Sequence, residues 1–194
     1  MFIFYYIMLL KVIILIIILL LIFHYKKYMT NSNIYQIDQQ ELEYIQNEPL
    51  YNNLNPLIIT FIEDNTLKYN IEQYKLFGPI SIDFNYFILN NNSNYLSHSN
   101  EILLVRVKID TKIELINPKY FKHFVKINNK STLLNNYSLL EKEYNNVFSI
   151  EITLHEYNIL YIPRFWLFKC IDLNNNIEFF TCNNIFTKLF NIIK

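Results

Sequence analysis

The first 23 residues, MFIFYYIMLLKVIILIIILLLIF, form an apolar run broken only by Lys11, and a helix of about 20 such residues matches the hydrocarbon thickness of a bilayer. A helix that is apolar on every face has no polar side to turn to water, and at the terminus of a small chain it is rarely core. The run therefore predicts a transmembrane anchor over residues 1–23. Lys11 fits if the span starts near Met8, because an ammonium within a turn or two of the end reaches the headgroups. A cleaved signal peptide would need small residues at its cleavage site, and Leu21-Ile22-Phe23-His24-Tyr25-Lys26-Lys27 has none. Lys26 and Lys27, just past the span, favour a cytoplasmic domain, against the opposite pull of Lys11 and the terminal amine. The expectation is a single-pass membrane protein, held to the membrane through residues 1–23, with its C-terminal domain cytoplasmic.

Beyond a polar neck at 24–33 the chain is an ordinary globular sequence, long enough at about 160 residues for one well-buried core. Over the full 194 residues 17 basic and 17 acidic side chains cancel, so the protein lacks the positive surface a nucleic-acid partner requires, and the 16 Tyr and 16 Phe of the full sequence read as core filling rather than as stacking platforms. A single Gly rules out the Gly-rich phosphate loops of nucleotide folds and a Gly-x-Ser-x-Gly elbow. Asn is used throughout as filler, so Asn-rich stretches say little about turns.

Gln39 to Gln46 has the spacing of a short amphipathic helix ending before Pro49. After it strands dominate: Leu57–Ile62, Ile80–Leu89, and Ile102–Ile109 with Leu103, Val105, Val107 and Ile109 on one face. Phe148, Ile150, Ile152 and Leu154 alternate with polar residues at the strand period. Ile159–Ile162, Phe165–Ile171 and Ile177–Thr181 follow, with Asn174-Asn175-Asn176 as a hairpin tip. The stretch from Phe121 to Asn146 shows no period and reads as a long loop or insertion, and 184–194 as a C-terminal helix or tail. Many short strands without a βαβ rhythm argue for an all-β sandwich or jelly roll. Cys170 and Cys182 fall on the last hairpin, where an oxidising lumen would pair them and cytosol would leave free thiols.

Leu154-His155-Glu156-Tyr157-Asn158-Ile159-Leu160-Tyr161-Ile162-Pro163-Arg164-Phe165-Trp166-Leu167-Phe168 resembles the second signature of cupin and JmjC-like domains: a strand, a turn, Leu/Tyr-Ile-Pro, an aromatic pair and a metal-binding His. Ile102–Lys108 followed by Lys112–Pro118, with Tyr120 close behind, is similar to the family's paired strands ending in proline. With the N-terminal anchor, the whole resembles the membrane-anchored cupin-like proteins of giant, nucleocytoplasmic large DNA viruses. The resemblance implies a double-stranded β-helix, a cupin-type jelly roll, over 34–183.

Active members of that superfamily hold Fe(II) with a His-x-Asp/Glu pair and a distal His, leaving coordination positions for 2-oxoglutarate and oxygen. Carried over position by position, the distal His falls on Phe168, whose ring ligates nothing. The first pair falls on His98-Ser99-Asn100, with an amide in place of the carboxylate. Two family glycines fall on Tyr157 and Phe165, and Lys112 lies near the family's 2-oxoglutarate lysine but suits a solvated strand face equally. The triad reads as lost, so no catalytic, cofactor-binding or metal residue is assigned and no cofactor is expected. His98 and Glu101 are the surviving candidate metal ligands. His24 reads as interfacial, His123 as a loop residue, and His155-Glu156 as neighbours pointing apart. The expectation is a catalytically silent cupin-fold protein tethered to a viral or host-derived membrane, acting by binding or assembly with a viral or host protein partner. The alternative is a divergent Fe(II)/2-oxoglutarate-dependent hydroxylase built on His98.

Overall fold

The computed structural model describes residues 2–29, 37–41, 50, 54–60, 81–89, 94–127, 134–156, 158–172, 177–184 and 187–188. Helix α1 spans Phe2–Met29, 28 residues, so His24 to Met29 of the expected neck are helical and residues 30–33 lie outside the described set. At 1.5 Å per residue the helix is about 42 Å long. Its described side chains from Tyr6 to Leu20, with Ile22 and Phe23, are all exposed. Among the described residues no helix is long and apolar enough to cross a membrane.

The strands are β1 (Asp38–Glu41), β2 (Leu57–Thr60), β3 (Ser81–Leu89), β4 (Tyr95–Ser97), β5 (Ile102–Val107), β6 (Thr111–Ile116), β7 (Phe124–Ile127), β8 (Asn135–Leu139), β9 (Ser149–Leu154), β10 (Ile159–Pro163), β11 (Leu167–Cys170) and β12 (Ile177–Asn184). They form two six-stranded sheets, ordered β1-β2-β10-β5-β12-β3 and β7-β8-β4-β11-β6-β9. Among the described residues only the β1–β2 pair is parallel. With the accessory pairs β1–β2 and β7–β8 set aside, the orders are β10-β5-β12-β3 and β4-β11-β6-β9. Successive strands then cross from one sheet to the other, except at β6 to β9, where the chain stays in one sheet. That interleaving is the jelly-roll topology expected from the sequence.

Three apolar layers hold the sheets. Between them lie Leu96, Leu103, Val105, Val107, Ile113, Leu115, Leu154, Leu160, Ile162, Trp166, Phe168 and Phe179, all buried. A second cluster, with Ile59, Ile102, Leu104 and Tyr161, covers the outer face of the first sheet. A third, with Tyr95, Ile116, Phe124 and Leu167, covers that of the second. Burial on both faces explains why Ile102-Leu103-Leu104-Val105 is a continuous apolar run rather than an alternating one. Of the expected core, Leu103, Val105, Val107 and Leu160 are fully buried. Ile150 and Ile152 are half-buried because β9 is an edge strand. Ile109, expected on the same face, lies past the end of β5 and is 63% exposed.

Two expectations are corrected. Gln39, Gln40 and Glu41 are not helical: they sit in β1, paired parallel with Ile58, Ile59 and Thr60, so ladder hydrogen bonds to a neighbouring strand override a modest helix propensity. Leu42 to Gln46 lie outside the described residues. The insertion is built rather than looped: a 3-10 helix at Pro118–His123, the β7–β8 hairpin and a second 3-10 helix at Glu141–Asn146. β11 and β12 belong to different sheets, so Cys170 and Cys182 do not face one another across a hairpin; both are buried free thiols. The Asn174–Asn176 tip lies outside the described residues. Asn184 still belongs to β12, and of the expected C-terminal helix Thr187 and Lys188 are described and helical.

Candidate functional site

The β4–β11 register pairs Phe168 with Leu96 and Leu167 with Ser97, and His98 follows β4 directly. The sequence positions read as the two halves of a ligand set therefore do converge at one end of the barrel. Phe168 is fully buried in the layer between the sheets, its ring centroid 5.9 Å from that of Phe179, which stacks in turn on Phe87 at 5.2 Å. An aromatic and aliphatic packing thus occupies the place where the family carries its distal His.

His98 is 1% exposed. Its Nε2 lies 3.1 Å from the carbonyl oxygen of Ile162 and 3.1 Å from that of Pro163. Two carbonyls can only accept, so Nε2 carries the proton and donates to them, which fixes the neutral tautomer with Nδ1 unprotonated. The His98 carbonyl accepts from the Phe165 N–H at 3.1 Å, so side chain and backbone together join the β4–β5 turn to the end of β10. Burial holds the imidazole pKa down to about 3, with the Arg164 charge acting in the same direction. Nδ1 has no hydrogen-bond partner among the described residues.

Asn100 and Glu101 turn the other way, toward β12. Asn183 donates from Nδ2 to Asn100 Oδ1 at 3.1 Å and accepts from the Glu101 N–H through Oδ1 at 3.2 Å. Glu101 Oε2 accepts from the Thr187 hydroxyl. β5 lies between β10 and β12, and the turn before it ties to both neighbours: His98 to one, Asn100 and Glu101 to the other. The two candidate ligands are thereby separated rather than brought together. Asn183 and Thr187, which complete this polar network, carried no sequence signal, since one is an Asn among many and the other a Thr near the chain end.

The turn opposite holds Phe165 at φ 68°, the left-handed region, where the family has Gly. That backbone costs a residue with a Cβ about 1–2 kcal/mol, yet the Phe165 ring is buried and lies under the Arg164 guanidinium at 4.8 Å. Losing a buried aromatic ring costs about 3–5 kcal/mol, more than the strain relieved. Phe165→Gly is therefore expected to lower stability by about 2–3 kcal/mol, a difference readable in urea unfolding midpoints. Tyr157, the other glycine position, lies outside the described residues.

The remaining candidates are dispersed. Lys112 is exposed on the outer face of β6, its ammonium 3.5 Å from Glu151, while its neighbour Ile113 points into the barrel. His123 Nδ1 lies 2.8 Å from Glu143 Oε2, and the Asn146 amide and His123 hold that carboxyl below its ordinary range. His155 Nδ1 lies 2.8 Å from Asp110 Oδ2 at an exposed turn. The Glu156 N–H and His155 lower the Asp110 carboxyl. The side chain of His24 is not among those described. Burial pushes the Cys170 thiol up to about 12, which leaves no thiolate for nucleophilic work at neutral pH.

A facial triad needs three convergent lone pairs with at least one carboxylate. Here His98 keeps one lone pair, on Nδ1, since Nε2 donates to carbonyls, Asn100 is engaged with Asn183, and Phe168 offers no donor atom, so these residues supply one ligand in place of three and do not fit Fe(II). Among the described residues no group of three or more His, Cys, Asp or Glu is placed to hold a metal ion.

No protein-family model matches the chain, and no curated protein matches it. Solved structures do. A crystal structure of hydroquinone 1,2-dioxygenase from Sphingomonas sp. TTNP3 with 4-hydroxybenzoate bound is 11% identical, covering 54% of this chain and 60% of that one, with a TM-score of 0.34. One of the dTDP-6-deoxy-D-glucose-3,5-epimerase RmlC from Legionella pneumophila Philadelphia 1 in complex with dTDP-4-keto-L-rhamnose is 13% identical over 64% and 58%, with a TM-score of 0.30. The non-heme iron oxygenase OrfP in complex with Fe and L-Arg is 7% identical over 74% and 79%, with a TM-score of 0.40. The chain thus spans about three fifths of the length of the first two. At these scores the assignment of the barrel rests on its own strand order.

Proposed function

We propose that this protein is a catalytically silent, cupin-like jelly-roll protein, tethered by α1 to a viral or host-derived membrane with its β domain on the cytoplasmic side, and that it acts there by binding or assembly. The reading follows the resemblance to membrane-anchored proteins of large DNA viruses. The observation that carries it is Phe168, buried between the sheets against Phe179 at the position of the family's distal His, which leaves Nδ1 of His98 as the one remaining lone pair of that ligand set. The apolar run of the first 23 residues, most of it helical in α1, supports the tether.

The chemistry is tested on protein loaded with Fe(II) under anaerobic conditions and then exposed to a mild chelator. A lone imidazole lacks the convergent ligands that give a metal site its affinity, so no iron is expected to remain, and Phe168→His combined with Asn100→Asp is expected to retain none either. Stoichiometric iron with oxygen-dependent 2-oxoglutarate decarboxylation, abolished by His98→Ala, would overturn the reading in favour of a hydroxylase. For the tether, the full chain is expected to stay in the membrane pellet after alkaline carbonate washing, and a chain starting at Asn31 to be released. A soluble mature chain beginning near His24 would show a cleaved signal peptide instead.

A further inference from the structure

The chain leaves α1 at Met29, so the β domain lies beyond the C-terminal end of that helix, and the Pro118–His123 helix touches α1. The segment that begins there reads Pro118-Lys119-Tyr120-Phe121-Lys122-His123-Phe124-Val125-Lys126. It contains three cations and no acid. Its halves divide by side-chain type. Phe124 is buried on the outer face of its sheet, with Tyr120 and Phe121 packed against it, while Lys119, Lys122, Val125 and Lys126 are exposed. On the Glu141–Asn146 helix Glu143 is engaged by His123 and Asn146. Aromatic residues bearing exposed lysines beside a membrane helix have the composition of a bilayer interface, where Tyr and Lys sit at headgroup depth.

We propose that the face formed by the Pro118–His123 helix and β7 rests on the anionic headgroups of the membrane that holds α1, orienting the barrel on that surface. The proposal builds on the tether read above. It commits to a lipid surface because the cations adjoin the apolar helix. Each lysine near an anionic leaflet strengthens surface association about fivefold, and added salt shortens the Debye length beyond which that attraction is screened.

The test uses the full chain carrying Val125→Cys, reconstituted in vesicles of phosphatidylcholine alone or mixed with phosphatidylserine, and follows modification by an uncharged maleimide. The native thiols are buried. Ile109→Cys, exposed at the opposite end of β6 about 20 Å away, is the reference. Modification at 125 is expected to slow fivefold or more in the anionic vesicles and to recover in high salt or with Lys119→Glu plus Lys122→Glu, while position 109 is unaffected. Equal slowing at both positions, or none at 125, overturns the proposal. Flotation with the neutral vesicles reports the tether separately. A chain that floats yet stays reactive at 125 loses only the docking face. One that fails to float but is protected by phosphatidylserine keeps the face and loses the anchor. One that neither floats nor is protected loses both.

Discussion

Phe168→Ala is expected to destabilise the β domain by about 3–5 kcal/mol, a large part of the stability of a domain this size. The ring lies between the sheets with no exposure. Its β11 position is paired on one side with Leu96 of β4 and on the other with Leu115 of β6, and the ring meets Phe179 from the opposite sheet. Truncation removes contacts to both layers, and strands fixed by ladders on two sides cannot collapse into the gap. Phe168→Leu keeps most of the volume and is expected to cost less than half as much. Urea unfolding of the chain from Asn31 onward measures both. Near-equal stability of the alanine variant would mean that the interior is loosely filled, and would reopen the question of a cavity at the place of the family's distal ligand.

The parts of this fold legible in the sequence are those where one face is wet. Ser149 to Leu154 alternates because β9 is an edge strand, and the Leu-Tyr-Ile-Pro block announces the β10–β11 turn because Pro163 ends a strand and Trp166 follows it. Other parts failed for identifiable reasons. Asp38 to Glu41 is polar at every position, and only its pairing with β2 makes it a strand. β8, Asn-Asn-Tyr-Ser-Leu, is hidden by the use of Asn as filler, although Asn136 is buried against β4. The site was legible as a set of positions but not as a set of partners. Placing His98 before β5 and Phe168 on β11 followed from the resemblance. That His98 donates to carbonyls 64 and 65 residues away is a property of the closed barrel, which no local pattern encodes.

The acid sensitivity of the domain is expected to centre on His98. Burial holds its pKa down to about 3 in the folded chain, whereas an unfolded imidazole titrates near 6.5. Below about pH 6.5 the unfolded state therefore binds a proton that the folded state refuses, and stability falls as pH falls. The contribution is fully present above about 6.5. It declines by about 1.4 kcal/mol per pH unit through the window down to about 3, where the folded state is protonated as well. In His98→Gln the side-chain amide can donate to the same two carbonyls but does not titrate. The variant is expected to be less stable than the native chain at pH 7.5, because its shape fits less well, and to lose less on acidification. The stability gap between the two chains should shift by about 2–3 kcal/mol in favour of the variant between pH 7.5 and 4.5. His123, His155, Asp110 and Glu143 are present in both chains and cancel in that difference. Parallel stability curves over this range would mean that His98 takes up a proton in the folded state as readily as in water. Its Nδ1–H would then have found an acceptor within the folded domain, and burial would not be what sets the protonation of this imidazole.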